Sequence, residues 1–578
     1  MTSATTRRPT GAWAARLAPI GSPAQRRAVA VFAPAVALQV LQLVAFPMPL
    51  GSWFFGVVLG LLAALVALGM ALIYRANRIL NFAQGDLGTM PTVLAVGLIG
   101  ISHVGYFVGF FIGLGASLIL GGVVELLVIR RFFRAPRLLL TVATIGLSQL
   151  FIVGGLLLPR WLWGRTTLAD QTITVPGDVH FTLGSQIFRG NEVLTIVLAP
   201  LLMIGLALFL RRTDVGIVVR ASADSGDRAS LLGIPVKRVH TLVWMLASSL
   251  SFVGVFLRAG ALGMSLASQL SLASLVVSLA ALVLGRLDNL PAITASAVVL
   301  GVLEQGVRWN HPENPGFVYL VFGVVILAVL ILRRSGSRRS DTEGFATWST
   351  VEEVRPVPAE LRALPLIRAL RWGVPALVLV GAVLLPNILT PSEQFKAATV
   401  AVFAIIALSV VVLTGWAGQV SLGQMSFVGV GGAVGALATA EWHSDLSLAM
   451  VVAGASGAIV AMIVGLPALR VRGLFLAATT LAFALASSEY LLNRDQMSWI
   501  PRQRLARPAL FKTFDLTSQR SMYYLCLGVL VLAFLAATGV RRSRSGRALV
   551  ALRDNERGAQ AFGIDVVRTK LMAFALSG

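Results

Sequence analysis

The sequence predicts an all-α polytopic membrane protein, with two homologous transmembrane helical bundles in parallel repeat joined by a cytoplasmic linker. Hydrophobic residues make up 57% of the chain and charged residues only 13%, whereas about a quarter of a soluble domain is charged. Many apolar runs reach the roughly 20 residues that cross a bilayer as a helix, and none shows the alternation of barrel strands. One polar segment also occurs twice. Composition therefore excludes a water-soluble globule, and the repeat predicts two related domains.

The apolar runs and the polar stretches between them divide the chain into four parts. Residues 1–27 carry arginines but no acid and form a basic cytoplasmic tail. Residues 28–332 form a first membrane domain of about ten helices. Residues 333–371 are polar and contain prolines, which indicates a cytoplasmic linker. Residues 372–578 form a second domain of about six complete helices, and we expect it to be truncated because it ends soon after the second copy of the repeat.

The basic clusters predict the orientation of the chain in the membrane. With the N-terminus in the cytoplasm, almost every arginine cluster between apolar runs falls on the inner side, as the positive-inside rule requires. We therefore expect a multi-pass protein of the bacterial inner (plasma) membrane, in contact with membrane lipid. The net charge of +23 is assigned to topology, so no nucleic-acid partner is expected.

The repeated segment predicts a docking surface on the cytoplasmic side. Its copies, 211–239 and 541–569, align without a gap, and each predicts a short helix ended by a glycine in the left-handed region. In the first copy Arg220, Asp224 and Arg228 share one helix face. Such a helix can lie in a groove of a soluble partner, although a solvated loop that only fixes topology is the alternative. The candidate docking residues are Gly216, Arg220, Asp224, Gly233, Ile234, Gly546, Asp554, Gly563 and Ile564.

Two apolar stretches also repeat, 67–88 as 407–428 and 138–147 as 474–483. The order is the same in both halves, which predicts a pseudo-two-fold axis along the membrane normal. Their amides and hydroxyls need partners inside a membrane. They either line the path of a zwitterionic solute or satisfy each other where glycines let helices pack closely. The candidate path residues are Asn81, Gln84, Gln419, Ser421 and Gln424 at predicted helix starts, with Thr144 and Thr480.

These motifs resemble those of ATP-binding-cassette importers. ASADSGDRASLLGI and ALRDNERGAQAFGI resemble the coupling loop of importer permeases. ALIYRANRILNFAQGDL is similar to the H-type branched-chain amino acid permease, and VLTGWAGQVSLGQMSFVGVGG and LRVRGLFLAATTLAFA to the M-type. The resemblance implies an H–M fusion that imports branched-chain amino acids, or related solutes such as urea and amides, by alternating access. It implies as partners two cytoplasmic ATPase subunits and an extracytoplasmic solute-binding protein.

Other activities lack the residues that they need. No phosphate-cradling G-x-x-x-x-G-K-[ST] loop occurs, so ATP and Mg²⁺ are expected on partner subunits, with no cofactor on this chain. Five scattered histidines and one cysteine give no metal-ligand spacing, and no catalytic constellation appears. Glu125 is placed to pair with Arg130 rather than to relay protons. The competing interpretation is an ion-gradient-driven secondary transporter with parallel repeats, which would not need the repeated cytoplasmic helices.

Overall fold

The computed structural model describes residues 23–132, 137–262, 272–332, 364–469 and 474–578, apart from 167, 169–170, 172, 178, 185, 225, 288 and 502–506. Within these ranges the chain is helical, with one two-stranded antiparallel sheet, β1 (Phe181–Leu183) and β2 (Gln186–Phe188). Ten of these helices are long and apolar enough to cross a membrane. The chain is therefore an α-helical multi-pass membrane protein, which confirms the predicted fold class.

The first half contains ten long or medium-length apolar helices and two short polar ones. Helix α2 is followed by a short non-helical break before α3. The helices are α1 (Pro23–Ala45), α2 (Leu50–Asn77), α3 (Gln84–Gly100), α4 (Tyr106–Leu127), α5 (Arg137–Trp163), α6 (Gly190–Arg212), α7 (Asp214–Asp224), α8 (Gly226–Leu231), α9 (Val236–Leu262), α10 (Leu272–Leu284), α11 (Leu290–Asn310) and α12 (Phe317–Leu332).

The nine α-helices described in the second half repeat the order of helices α1–α9. Its α14 and α17 each continue into a π-helical turn, Val411–Trp416 and Ser487–Leu491. The helices are α13 (Pro365–Leu384), α14 (Pro391–Val410), α15 (Gln424–Ala440), α16 (Leu446–Gly465), α17 (Leu474–Ala486), α18 (Gln519–Arg542), α19 (Arg544–Asp554), α20 (Glu556–Ala561) and α21 (Val566–Ser577).

Most predicted apolar runs coincide with these helices, but some boundaries differ. Helix α1 begins at Pro23, inside the predicted basic tail, and α13 begins at Pro365, inside the predicted linker. Proline suits a first helical turn, because its φ is already helical and its missing N–H would have no partner there. Within the repeated stretches 67–88 and 407–428, the next helix begins only at Gln84 and at Gln424.

Helix α2 lies at the centre of the first half, where it packs on α9, α10 and α11. Small residues let α2 and α11 approach until their backbones touch. A Cβ atom added to Gly301 would lie 2.3 Å from the backbone nitrogen of Gly60, and one added to Gly60 would lie 2.5 Å from the Cα atom of Val298. In a membrane this close packing of helices supplies stability that water-driven burial does not.

The two halves meet through α17, which packs on α10 and α12. Ala477, Leu481 and Leu485 of α17 belong to the same buried apolar cluster as the first-half core. Beyond the end of α17, the rings of Phe317 and Tyr490 lie 5.4 Å apart. At this contact the two bundles therefore share one core.

Hydrogen bonds place the arginine clusters of the first half at one end of the bundle, which we call the basic end. There the Arg78 guanidinium donates to the carbonyl oxygen of Ala223 at 3.1 Å, and that of Arg130 donates to the Thr241 hydroxyl at 3.0 Å. The ends of α2, α4 and α7 and the start of α9 therefore lie together. This grouping is the one that the positive-inside rule predicts.

The opposite end carries the long loops, including the β1–β2 hairpin. Here Asp445 fixes the loop after α17, because its carboxylate accepts hydrogen bonds from the backbone N–H groups of Phe511 at 2.9 Å and Lys512 at 3.2 Å. The Ser447 hydroxyl, together with these N–H groups, lowers the pKa of Asp445 below its usual value. The loop is therefore held by a carboxylate that stays ionised in mild acid.

Candidate functional site

Two matched helix pairs project from the basic end: the first helix pair, α7 and α8, and the second helix pair, α19 and α20. Both end in the same way, at Gly233 and Gly563, each with φ of 81°. The N–H of Gly233 donates to Ser230 O at 3.0 Å and that of Ile234 to Ala229 O at 3.0 Å. This is the Schellman arrangement, which satisfies the last carbonyls of a helix and needs a left-handed residue. The predicted glycine-ended helix is confirmed.

The second helix pair repeats these bonds. The N–H of Gly563 donates to Gln560 O at 3.0 Å and that of Ile564 to Ala559 O at 3.1 Å. Ile234 and Ile564 therefore occupy the same position in their two turns, directly after the left-handed glycine. Two segments far apart in the chain therefore have one backbone structure.

The starts of the two helix pairs also match. The N–H of Gly216 donates to the Thr213 hydroxyl at 3.0 Å, and that of Gly546 to the Ser543 hydroxyl at 3.3 Å. A Cβ atom added to either glycine would lie 2.2 Å from a backbone carbonyl oxygen of the preceding helix. Both positions need glycine because the helix pair folds back closely on α6 or α18.

One prediction about these segments is wrong. The sequence predicted a single short helix in each copy, with Arg220, Asp224 and Arg228 on one face, but each copy forms two helices, so Arg228 lies on α8 rather than α7. In the second copy Asn555 is extended at the break, and its side chain accepts a hydrogen bond from Gly558 N–H at 2.9 Å. This cap starts a new helix and prevents the first from continuing.

The other predicted docking residues lie on the surface of the helix pairs. Arg220 is exposed, and the Asp554 carboxylate forms an ion pair at 2.8 Å with the guanidinium of the neighbouring Arg553. The side chain of Asp224 lies outside the described residues. At the tips, Leu231, Leu232 and Phe562 are 87%, 81% and 91% exposed. Large apolar side chains at a polar tip are typical of a surface that a partner covers.

A buried lysine anchors the second helix pair to the following helix. The Lys570 ammonium is almost fully buried on α21 and lies 3.2 Å from the Glu556 carboxylate on α20. In the first half, Glu125 pairs with Arg130 at 3.2 Å and accepts a hydrogen bond from the Thr241 hydroxyl at 2.7 Å. This confirms the ion pair predicted for Glu125. Both ion pairs lie at the basic end and join neighbouring elements.

Above the helix pairs, each half contains a break between two membrane helices, at 78–83 and at 417–423. Buried threonines satisfy the backbone of both breaks. The Thr144 hydroxyl accepts from the N–H of Phe82 at 3.1 Å, and the Thr480 hydroxyl accepts from the N–H of Leu422 at 2.9 Å. An unpaired N–H at these buried positions would be costly, so the two threonines make the breaks possible.

A glutamine begins the helix after each break. The Gln84 side chain donates to the carbonyl oxygen of Ala247 on α9 at 2.9 Å, and the Gln424 side chain donates to the Ser577 hydroxyl on α21 at 2.7 Å. Ala247 and Ser577 are equivalent positions, each eleven residues into the helix that follows a helix pair. At 1.5 Å per residue both glutamines lie about 16 Å from the basic end, which is about the middle of a bilayer core.

The remaining predicted path residues lie within the breaks rather than at helix starts. Asn81 donates to the Gln84 side-chain oxygen at 3.0 Å and accepts from the N–H of Ala83 at 3.1 Å. Ser421 accepts from the N–H of Gly423 at 3.3 Å, while half-buried Gln419 donates to Ala417 O at 3.3 Å. Most of these polar groups thus bond within their own bundle, around two interrupted helices.

Asp86 is a candidate that the sequence analysis missed. It lies in the first turn of α3, half-buried, and its carboxylate accepts a hydrogen bond from the Ser148 hydroxyl on α5. The repeat aligns Asp86 with Ser426, whose hydroxyl oxygen is buried with no hydrogen-bond partner among the described residues. A charge inside an apolar run is a signal of function in a membrane protein, and it could have identified Asp86. No cluster of potential metal ligands occurs in the described ranges.

The chain is similar to permeases. The family described as branched-chain amino acid transport system permease component matches residues 52–330 and 395–578. A probable branched-chain amino acid transport permease protein LivH of Methanocaldococcus jannaschii is 24% identical over 47% of this chain and 85% of its own length. The high-affinity permease protein BraD of Pseudomonas aeruginosa is 25% identical over 49% of this chain and 92% of its own. LivM of Escherichia coli is 26% identical over 35% of this chain, and the chain spans 53% of that relative.

Proposed function

Because the chain belongs to the family of branched-chain amino acid transport system permease components, we propose that it is the membrane-spanning permease of an ATP-binding-cassette importer. Its two halves match the family separately, and its relatives include both LivH and LivM proteins. In this proposal the fused halves form the two walls of one pathway. The basic end faces the cytoplasm, as the positive-inside rule favours, in the inner membrane of a bacterium.

The observation that carries the proposal is the structural identity of the two helix pairs. In both, a hydroxyl before the first helix accepts a hydrogen bond from a glycine N–H, the helix breaks in the middle, and the pair ends in a Schellman turn at φ of 81°. Selection for membrane topology alone would preserve the positive charge of these segments but not their backbone structure. Two copies of one ATPase subunit, in contrast, require two copies of one docking surface. Each helix pair therefore docks on one ATPase subunit, with Leu231, Leu232 and Phe562 entering its groove.

The interrupted helices supply the site at which the solute binds. The N-termini of α3 and α15 lie near the middle of the membrane, and a helix N-terminus attracts an anionic group such as the carboxylate of an amino acid. The Asp86 carboxylate, in the first turn of α3, would attract its ammonium group. A zwitterionic amino acid with an apolar side chain fits this charge pattern, so branched-chain amino acids are the proposed solutes. An extracytoplasmic binding protein delivers them, and ATP-driven movement of the halves opens the site to either side.

Reconstitution tests this function. We would purify the full chain with the ATPase subunits of its own system, insert the complex into vesicles, and measure uptake of labelled leucine with and without ATP. The proposal expects uptake that needs ATP hydrolysis. Uptake that follows an ion gradient without ATPase subunits would refute it.

A pair of matched variants locates the docking surface. Phe562→Ser should lower the amount of ATPase subunit that copurifies with the chain, because it removes an exposed apolar side chain at the tip of the second helix pair. Phe514→Ser changes another exposed phenylalanine, at the opposite end, and should leave ATPase binding unchanged. Equal retention in both variants would place the ATPase elsewhere.

A further inference from the structure

In each half, an arginine side chain bonds the helix pair to the end of the membrane helix that precedes the break. In the first half this arginine belongs to the membrane helix, and in the second half it belongs to the helix pair. In the first half Arg78, at the end of α2, donates to the carbonyl oxygen of Ala223 on α7 at 3.1 Å. In the second half Arg553, on α19, donates to the carbonyl oxygen of Gly415 at the end of the π-helical turn at 2.9 Å. Each guanidinium therefore reaches a carbonyl near the C-terminal end of a helix, where a positive charge is stabilised.

The alignment of the repeats makes this an exchange. Arg78 is equivalent to Gly418, and Ala223 is equivalent to Arg553. The acceptor Gly415 is equivalent to Arg75, about one helical turn before Arg78. Arg78 and Gly418 share the same left-handed backbone, with φ of 55° and 68°. Each half thus places one arginine and one small residue at the same contact.

The small residue is needed because the contact has room for one side chain only. A Cβ atom added to Gly418 would lie 2.8 Å from Cγ of Arg553. In the first half the positions are reversed, and Ala223 leaves space for the Arg78 side chain. The duplicated protein has therefore kept the arginine contact while moving the arginine across it.

We propose that Arg78 and Arg553 are equivalent positioning residues that transmit movement of each helix pair to the helix break above it. This inference rests on the proposed function, since it assumes that an ATPase moves the helix pairs. A movement of α7 pulls the residue that ends α2, and the break that follows holds Asn81 and leads directly to Gln84. A movement of α19 acts on the end of the π-helical turn in the same way. Arginine suits this role because its guanidinium stays charged and holds several hydrogen bonds at once.

Reciprocal exchange tests the equivalence. The double variant R78G/A223R builds the second-half arrangement into the first half, and G418R/R553A builds the reverse. Hydrogen exchange of the purified full chain reports the contact, and leucine uptake per ATP hydrolysed in the reconstituted complex reports the transmission. Arg131→Ala, which removes an exposed arginine at the same end, is the matched control.

We expect Arg78→Ala to raise hydrogen exchange in α7 and the break roughly tenfold, as for the loss of one hydrogen bond to a charged group. It should also lower uptake per ATP hydrolysed while ATPase subunits stay bound. R78G/A223R should restore most of both losses, and Arg131→Ala should cause neither.

Two results would overturn the proposal. If Arg78→Ala speeds exchange but leaves uptake per ATP unchanged, the contact does not transmit movement. If R78G/A223R fails to restore exchange, the two arginines are not equivalent. Absence of ATP-driven leucine uptake in the unmodified complex would refute the proposed function and the transmission with it, while the exchange measurements would still decide whether the arginines are interchangeable.

Discussion

Replacement of Gly233 by valine tests whether the end of the helix pair depends on a left-handed backbone. Gly233 has φ of 81°, and nothing lies within 4 Å of a Cβ atom added there. The cost of a side chain is therefore backbone strain alone. For an L-residue this strain is about 1–2 kcal/mol, with asparagine tolerated better, and for a β-branched residue it is larger. A cost of this size lowers the population of the native turn by a factor of roughly 5 to 30.

Hydrogen exchange at single amides measures this effect. The N–H of Ile234 is protected by its bond to Ala229 O, so Gly233→Val should speed its exchange by at least roughly fivefold, and Gly233→Asn by less. Gly563→Val should do the same at Ile564. Retention of ATPase subunits should fall in the same order, valine lowest.

Gly205→Val is the control, because Gly205 on α6 also has open space around its Cβ position but no positive φ. It should leave the exchange of Ile234 unchanged. If Gly233→Val exchanges at the wild-type rate, glycine does not relieve strain in this turn, and the argument from matched helix ends is wrong.

Three further changes have outcomes set by single contacts. Thr144→Val leaves the N–H of Phe82 buried and unpaired, and it should destabilise the first half by about 1–3 kcal/mol in thermal unfolding. Thr144→Ser keeps the hydroxyl and should not, so equal stability of the two variants would contradict the prediction. Gly301→Leu should abolish the close packing of α2 on α11, because even the Cβ atom of the new side chain would lie 2.3 Å from the backbone nitrogen of Gly60. An unchanged yield and melting temperature of this variant would contradict the prediction. The pKa of Asp445 is lowered, so its contact is kept above the usual carboxyl pKa and lost only as pH falls through the lowered value. A spin label on the loop after α17 should therefore stay immobile down to about pH 5 and become mobile in Asp445→Asn. Mobility that rises at mildly acidic pH would contradict the lowered pKa, and an immobile label in Asp445→Asn would show that the carboxylate does not hold the loop.

Sequence alone determined the features that depend on local patterns. The apolar runs predicted the helices and their order, and the aligned repeats predicted two matching helical segments, although each segment forms two helices rather than one. Gly233 and Gly563 were predicted in left-handed turns because few other residues adopt that backbone. The ion pair of Glu125 with Arg130 was predictable because both residues lie close together in the chain. Each of these features is encoded by neighbouring residues.

Only the tertiary structure decided the contacts between distant segments. The partner of Thr144 at Phe82, that of Gln84 at Ala247 and the exchanged contacts of Arg78 and Arg553 depend on which helices pack together. The repeat aligned the two arginines with a glycine and an alanine, and so a comparison of sequences presents them as differences. Their equivalence is visible only in the folded chain. The contact needs one arginine and one small residue, but either of the two positions can carry the arginine.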